Sequence, residues 1–192
     1  TAHIRDVGGS NPSSATIKIK KFMKDFIFNS KKFLFINFFL YLLLKVFIFF
    51  YSDQSVFFSN DSIVYLSLSN QIKQFGFINY IFSSDESTYF RTPLYPLFLF
   101  LLNNNFFFII LSQSIIMIVV CFIFLNILKF FNLNNNLAAT IILFTPNFFY
   151  HSSLILTETI FLLFFLLSIL NLLKFIRTRF FYYYSVSLIC IV

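Results

Sequence analysis

The sequence predicts an all-α, polytopic helical membrane protein, and three observations carry that reading. Hydrophobic residues fill 59% of the 192 positions and charged residues only 11%, where a soluble domain carries about a quarter charged. Apolar runs of bilayer-spanning length recur along the chain, separated by short polar or basic segments. Seven of the 14 Lys and Arg precede the first such run: Arg5, Lys18, Lys20, Lys21, Lys24, Lys31 and Lys32. That clustering marks a cytoplasmic flank, so the net charge of +7 belongs to a membrane face and does not point to nucleic acid. The 34 Phe, with abundant Asn, Ile, Lys and Tyr, follow AT-rich codons and say nothing about activity.

Residues 1–16, TAHIRDVGGSNPSSAT, are small and polar, and Gly9-Ser10-Asn11-Pro12 matches the translated T-arm of a bacterial transfer-RNA gene. The expectation is a non-native or disordered leader over 1–22 and a translation start at Met23, ahead of a transmembrane domain over 23–192. Residues 33–51 form the first span, with Lys45 near its outer end and expected to snorkel. No small-residue cleavage site follows, so this is an uncleaved anchor. An outer loop occupies 52–105. The second span covers 106–131 and ends at Lys129; a shorter third, 137–152, is broken near Pro146. A fourth, 154–173, is closed by Lys174, Arg177 and Arg179, and a fifth begins at 180. Too few residues remain for that fifth span to cross, so the chain is expected to be the N-terminal fragment of a longer protein. Cys121 and Cys190 lie in apolar runs and read as packing residues.

A cytoplasmic N-terminus puts Lys129, Lys174, Arg177 and Arg179 on the inside with the first seven cations, and Lys73 and Arg91 outside. Asp53, Asp61, Asp85, Glu86 and Glu158, five of seven acids, then face outward. The outer loop is the one long stretch combining charge, turn residues and an amphipathic pattern. Asn60 or Asp61 can cap a helix whose Tyr65, Leu68, Ile72 and Phe75 share a face, and Gly76 stops it. That pattern predicts a one-sided helix lying on the membrane surface. Arg91-Thr92-Pro93-Leu94-Tyr95-Pro96 then turns the chain into a short apolar helix. P-loop, G-x-G-x-x-G, G-x-S-x-G, H-E-x-x-H and paired C-x-x-C motifs are missing, which points away from soluble nucleotide-sugar chemistry.

A first span, then an Asp followed four residues on by Tyr, a helix ending at Gly, and R-x-P-L-Y-P before an apolar run resemble the first periplasmic loop of GT-C membrane glycosyltransferases. The relevant members are the bacterial protein O-mannosyltransferases and lipid A aminoarabinose transferases. A second match is Pro146 followed by Leu156-Thr157-Glu158-Thr159-Ile160; together the matches cover about residues 30–175. The resemblance implies a GT-C-like fold in the bacterial inner membrane. It also implies a polyprenyl-phosphate-linked sugar donor and a lipid, glycan or protein acceptor. Carried over residue by residue, Asp61 is catalytic and Arg91 binds the donor phosphate. Glu158 holds the acceptor, orders the loop or binds a divalent metal, the one cofactor the resemblance leaves open. The family often has Asp-Glu where this chain has Asp61-Ser62, which puts a role for position 62 in doubt.

Each residue also has a plainer reading. Asp61 can simply cap its helix, Arg91 can anchor at the interface, and Glu158 can complement a helix dipole. His151, seven residues from Glu158, makes a poor metal ligand alone. The alternative function is a non-enzymatic polytopic protein such as a transporter or flippase segment, for which charges or Gly/Pro breaks midway through spans are the usual mark.

Overall fold

The computed structural model describes residues 31–82, 92–133 and 136–190. Regular structure among these residues is helical: α1 (Lys31–Tyr51), a 3₁₀ turn (Gln54–Phe57), α2 (Asn60–Phe75), α3 (Phe77–Ile81), α4 (Leu94–Leu101), α5 (Phe106–Phe130), α6 (Asn136–Phe144), α7 (Pro146–His151), α8 (Glu158–Thr178) and α9 (Phe181–Ile189). Three of them, α1, α5 and α8, are long and apolar enough to cross a membrane. The leader expected over 1–22 lies outside the described residues.

The middle helix organises the other two. Half of the most apolar stretch of α5 is buried, against 22% for α1 and α8, so α5 is the core and its neighbours present most of their surface outward. Helix α1 turns Leu34, Phe38, Tyr41 and Lys45 inward at steps of four, three and four, while Phe35, Phe39, Leu43, Phe47 and Phe50 stay exposed. An apolar outer face of that size suits lipid rather than water.

The third predicted span is two short helices instead of one. Pro146 occupies the first turn of α7, and Thr145 before it is extended (φ −61°, ψ 126°). Proline lacks an N–H and pushes its predecessor out of helical geometry, so the run from 137 breaks there. Nor does the fourth span start at 154: residues 152–157 form a non-helical strap, and α8 begins at Glu158 and takes in Lys174 and Arg177.

Between the first two long helices, Gly76 ends α2 at φ 82°, a conformation that disfavours side chains with a Cβ. The cap is Ser59, not Asn60 or Asp61. Its side chain accepts from Ser62 N while Ser62 Oγ accepts from Ser59 N, a reciprocal box that neither of the expected residues enters. Tyr65, Leu68 and Ile72 are buried as the periodicity predicts, but Phe75 is 62% exposed. After the reversal at Gly76, Tyr80 of α3 packs onto Leu68 and Ile72, so the stripe is completed from α3. Helix α4 also covers this stripe, through Tyr95 against Tyr65. The apolar face expected to rest on a bilayer therefore meets protein.

The tight α4–α5 turn uses Asn103 and Asn104 at positive φ, which Asn tolerates better than most residues. Their side chains tie the turn to α2: Ser69 Oγ donates to Asn104 Oδ1 (2.7 Å), Asn104 Nδ2 to Asn70 (2.9 Å) and Lys73 Nζ to Asn103 (3.1 Å).

Lys45 does not snorkel. It is 2% exposed and reaches across from α1 to the end of α7, donating to the Phe149 carbonyl, to Ser152 Oγ (2.9 Å) and to Ser153 Oγ. The Tyr41 hydroxyl bonds Ser152 Oγ at 2.8 Å, and the ammonium sits 4.0 Å from the Phe149 ring centre. Three donors meet three acceptors at the C-terminal, electronegative end of a helix, which offsets part of the cost of turning the amine inward. Lys45→Met keeps the bulk but strands those oxygens. It should lower unfolding stability by roughly 3 kcal/mol in a detergent melt, against about 1 kcal/mol for Ser152→Ala.

Candidate functional site

The strap between α7 and α8 collects polar groups from several helices at one end of the molecule. Ser152 through Leu156 are buried, although the segment has no regular hydrogen-bond ladder of its own. Three of its backbone groups are satisfied by other elements, as burial favours. Ile155 N donates to the Phe57 carbonyl (3.0 Å), and Ser62 Oγ donates to the Ile155 carbonyl (2.9 Å). Gln113 Nε2, from α5, donates to the Leu156 carbonyl (3.0 Å) and to Tyr95 Oη (3.0 Å).

These bonds join the N-termini of two helices. Asp61 lies in the first turn of α2, next to Ser62; Glu158 opens α8, three residues after Ile155. Both carboxylates are exposed. Between the helices is a buried aromatic pair, Tyr65 and Tyr95, with ring centres 5.0 Å apart and edge-on. The Tyr95 phenol is held well above its ordinary range, chiefly by burial; the Gln113 hydrogen bond opposes this, and the negative charge of Glu158 adds to the rise more weakly. Tyr95 is thus a neutral hydroxyl under the electrostatic influence of Glu158.

Gln113 is fully buried, and its Oε1 has no hydrogen-bond partner among the described residues. An acceptor left open on the amide that binds the Tyr95 phenol is suited to a hydroxyl-bearing ligand or an ordered water. The arrangement therefore offers carboxylates at two helix starts for proton transfer or hydroxyl orientation, and an amide–phenol pair bonded to the strap that joins them.

Of the residues predicted from sequence, Asp61 and Glu158 come to the two helix ends that the strap connects. Arg91 lies outside the described residues, as do Asp85 and Glu86. His151 is exposed at the end of α7, with its ring 5.8 Å from Tyr150. Among the described residues no group of three or more His, Cys, Asp or Glu could hold a metal ion. The Ser at position 62 is the link between helix and strap.

Sequence reasoning missed Gln113, Tyr95 and the strap itself. The signal for Gln113 was present: Ser112-Gln113-Ser114 interrupts an otherwise apolar span, and an intramembrane polar residue signals a partner. No family model, characterised protein or solved structure matches the chain.

Gln113→Leu removes the donor shared by Tyr95 and Leu156 and should cost about 1–3 kcal/mol. Tyr95→Phe leaves Gln113 bound to Leu156 and should cost about 1 kcal/mol. A double-mutant cycle read by thermal unfolding should give a non-zero coupling between the two.

Proposed function

We propose that this chain belongs to a GT-C-type membrane glycosyltransferase that moves a sugar from a polyprenyl-phosphate-linked donor to a lipid, glycan or protein acceptor outside the cytoplasm. The observation that supports this best is the placing of Asp61 and Glu158 on helix starts joined through Ser62, Ile155 and Leu156, with Gln113 bonded to the same strap. In this reading Asp61 takes the proton from an acceptor hydroxyl as its oxygen attacks the anomeric carbon. The carbon–oxygen bond to the carrier phosphate breaks, the electron pair leaves with the phosphate, and the anomeric centre inverts. Arg91 offers paired N–H donors to that phosphate, and Glu158 holds the acceptor or a divalent cation. The chain would lie in a bacterial inner membrane with its N-terminus cytoplasmic. The α6–α7 pair would complete a further crossing, and α9 would begin another.

A second reading, a transporter or flippase segment, is favoured by one observation: Lys45 is a buried charge within a candidate span. All three of its N–H groups, however, bond to protein oxygens, which leaves none for a transported anion.

Asp61→Asn should lower sugar transfer in membrane preparations by about 10²-fold or more while membrane insertion stays unchanged. Transfer from a polyprenyl-phosphate-linked donor to a hydroxylated acceptor is the measurement, and an unchanged rate removes Asp61 as the base.

A further inference from the structure

At the far end of α5 and α8 from the strap is a cavity of about 350 Å³ lined by Asn126, Lys129, Phe130, Leu170, Lys174 and Arg177. Lys129 and Arg177 stand in the last turns of the two candidate spans. Three cations therefore share one opening. A cation at a helix C-terminus complements the dipole, but that accounts for one charge per helix end, and α8 contributes two. No acid is among the residues that line the cavity, and Glu158, the acid of α8, starts the same helix roughly 28 Å away at 1.5 Å per residue.

The side chains in and around the cavity are arranged to hold cations in place rather than neutralise them. Lys129 Nζ donates to Asn126 Oδ1 at 3.4 Å, Arg177 lies over the Phe130 ring at 5.9 Å, and Lys174 lies over Tyr183 of α9 at 5.5 Å. Leu170 and Phe130 supply an apolar wall on the side toward the spans. An opening with cations at its mouth and hydrocarbon behind, at the ends of two membrane-crossing helices, matches a phosphate group carried on acyl chains.

We propose that this cavity binds a phosphate-bearing anion, supplied as the headgroup of an anionic membrane lipid. The site is independent of any sugar transfer at the strap.

The test uses the full chain reconstituted in phosphatidylcholine nanodiscs containing cardiolipin, with retained lipids counted by native mass spectrometry after detergent extraction. Retention of cardiolipin over phosphatidylcholine is expected, falling about tenfold or more in K129Q/K174Q/R177Q, since each basic residue contributes on the order of 1 kcal/mol at such a surface. A charge-reduced control, K31Q/K32Q, should retain the lipid. The single substitution Arg177→Gln, on an exposed side chain, serves if the triple variant does not fold, and it should also reduce retention. A parallel arm adds inorganic phosphate to the protein in neutral detergent: stabilisation that the triple variant loses, without lipid retention, supports the phosphate site and makes its source soluble. Equal retention by wild type and triple variant, or an equal loss in the control, together with no response to phosphate, overturns the proposal.

Discussion

The buried amine of Lys45 ties together one end of this protein. It is the point at which α1, the end of α7 and the strap meet, and the strap in turn meets every element of the candidate site. Burying an amine is costly, and hydrogen bonds from its N–H groups offset part of that cost. Here the cost is offset by one carbonyl and two serine hydroxyls. The end of α7 at His151 makes this geometry available: so close to the helix terminus the Phe149 carbonyl has no ladder N–H to accept and takes the Lys45, Ser152 and Ser153 side chains instead.

From that anchor the polar bonds run in one direction. Ser152 and Ser153 are fixed by α1, Ile155 by the 3₁₀ turn and by Ser62, and Leu156 by Gln113. The helix that follows starts with Glu158, and the helix that supplies Ser62 starts beside Asp61. Two carboxylates are thus positioned by backbone and hydroxyl groups without needing to bond each other. At the opposite ends of α5 and α8 the charge is all positive among the lining residues. The separation of acids and bases along the spans, visible in the sequence as a count, appears in the structure as two chemically different mouths.

Much of the framework was legible because its causes are local. Apolar run length placed α1, α5 and most of α8, and Gly76 marked a real reversal because only φ matters there. The 3.6-residue period found Tyr65, Leu68 and Ile72. Features that depend on a distant partner were not legible. Lys45 had the length to reach an interface, and nothing nearby in sequence showed that Phe149, Ser152 and Ser153 would come within its reach. The cap fell to Ser59 because Ser62 could reciprocate, a pairing that outranked the bulkier polar candidates beside it. Phe75 obeyed the period and still stayed outside, since α3 folds back over the stripe first. In the candidate site, Asp61 and Glu158 could be named, but the residues that bring them together, Ser62, Ile155 and Gln113, are ordinary until seen in contact.

The central claim is that the starts of α2 and α8 lie side by side on one face of the membrane. Cysteines introduced as Asp61→Cys and Glu158→Cys, in a background with Cys121 and Cys190 replaced by Ser, test it in intact membranes with a short bis-maleimide. The expected result is an intramolecular cross-link, with an impermeant thiol reagent blocking both cysteines from the same side. Absence of the cross-link, or blocking from opposite sides, would contradict it.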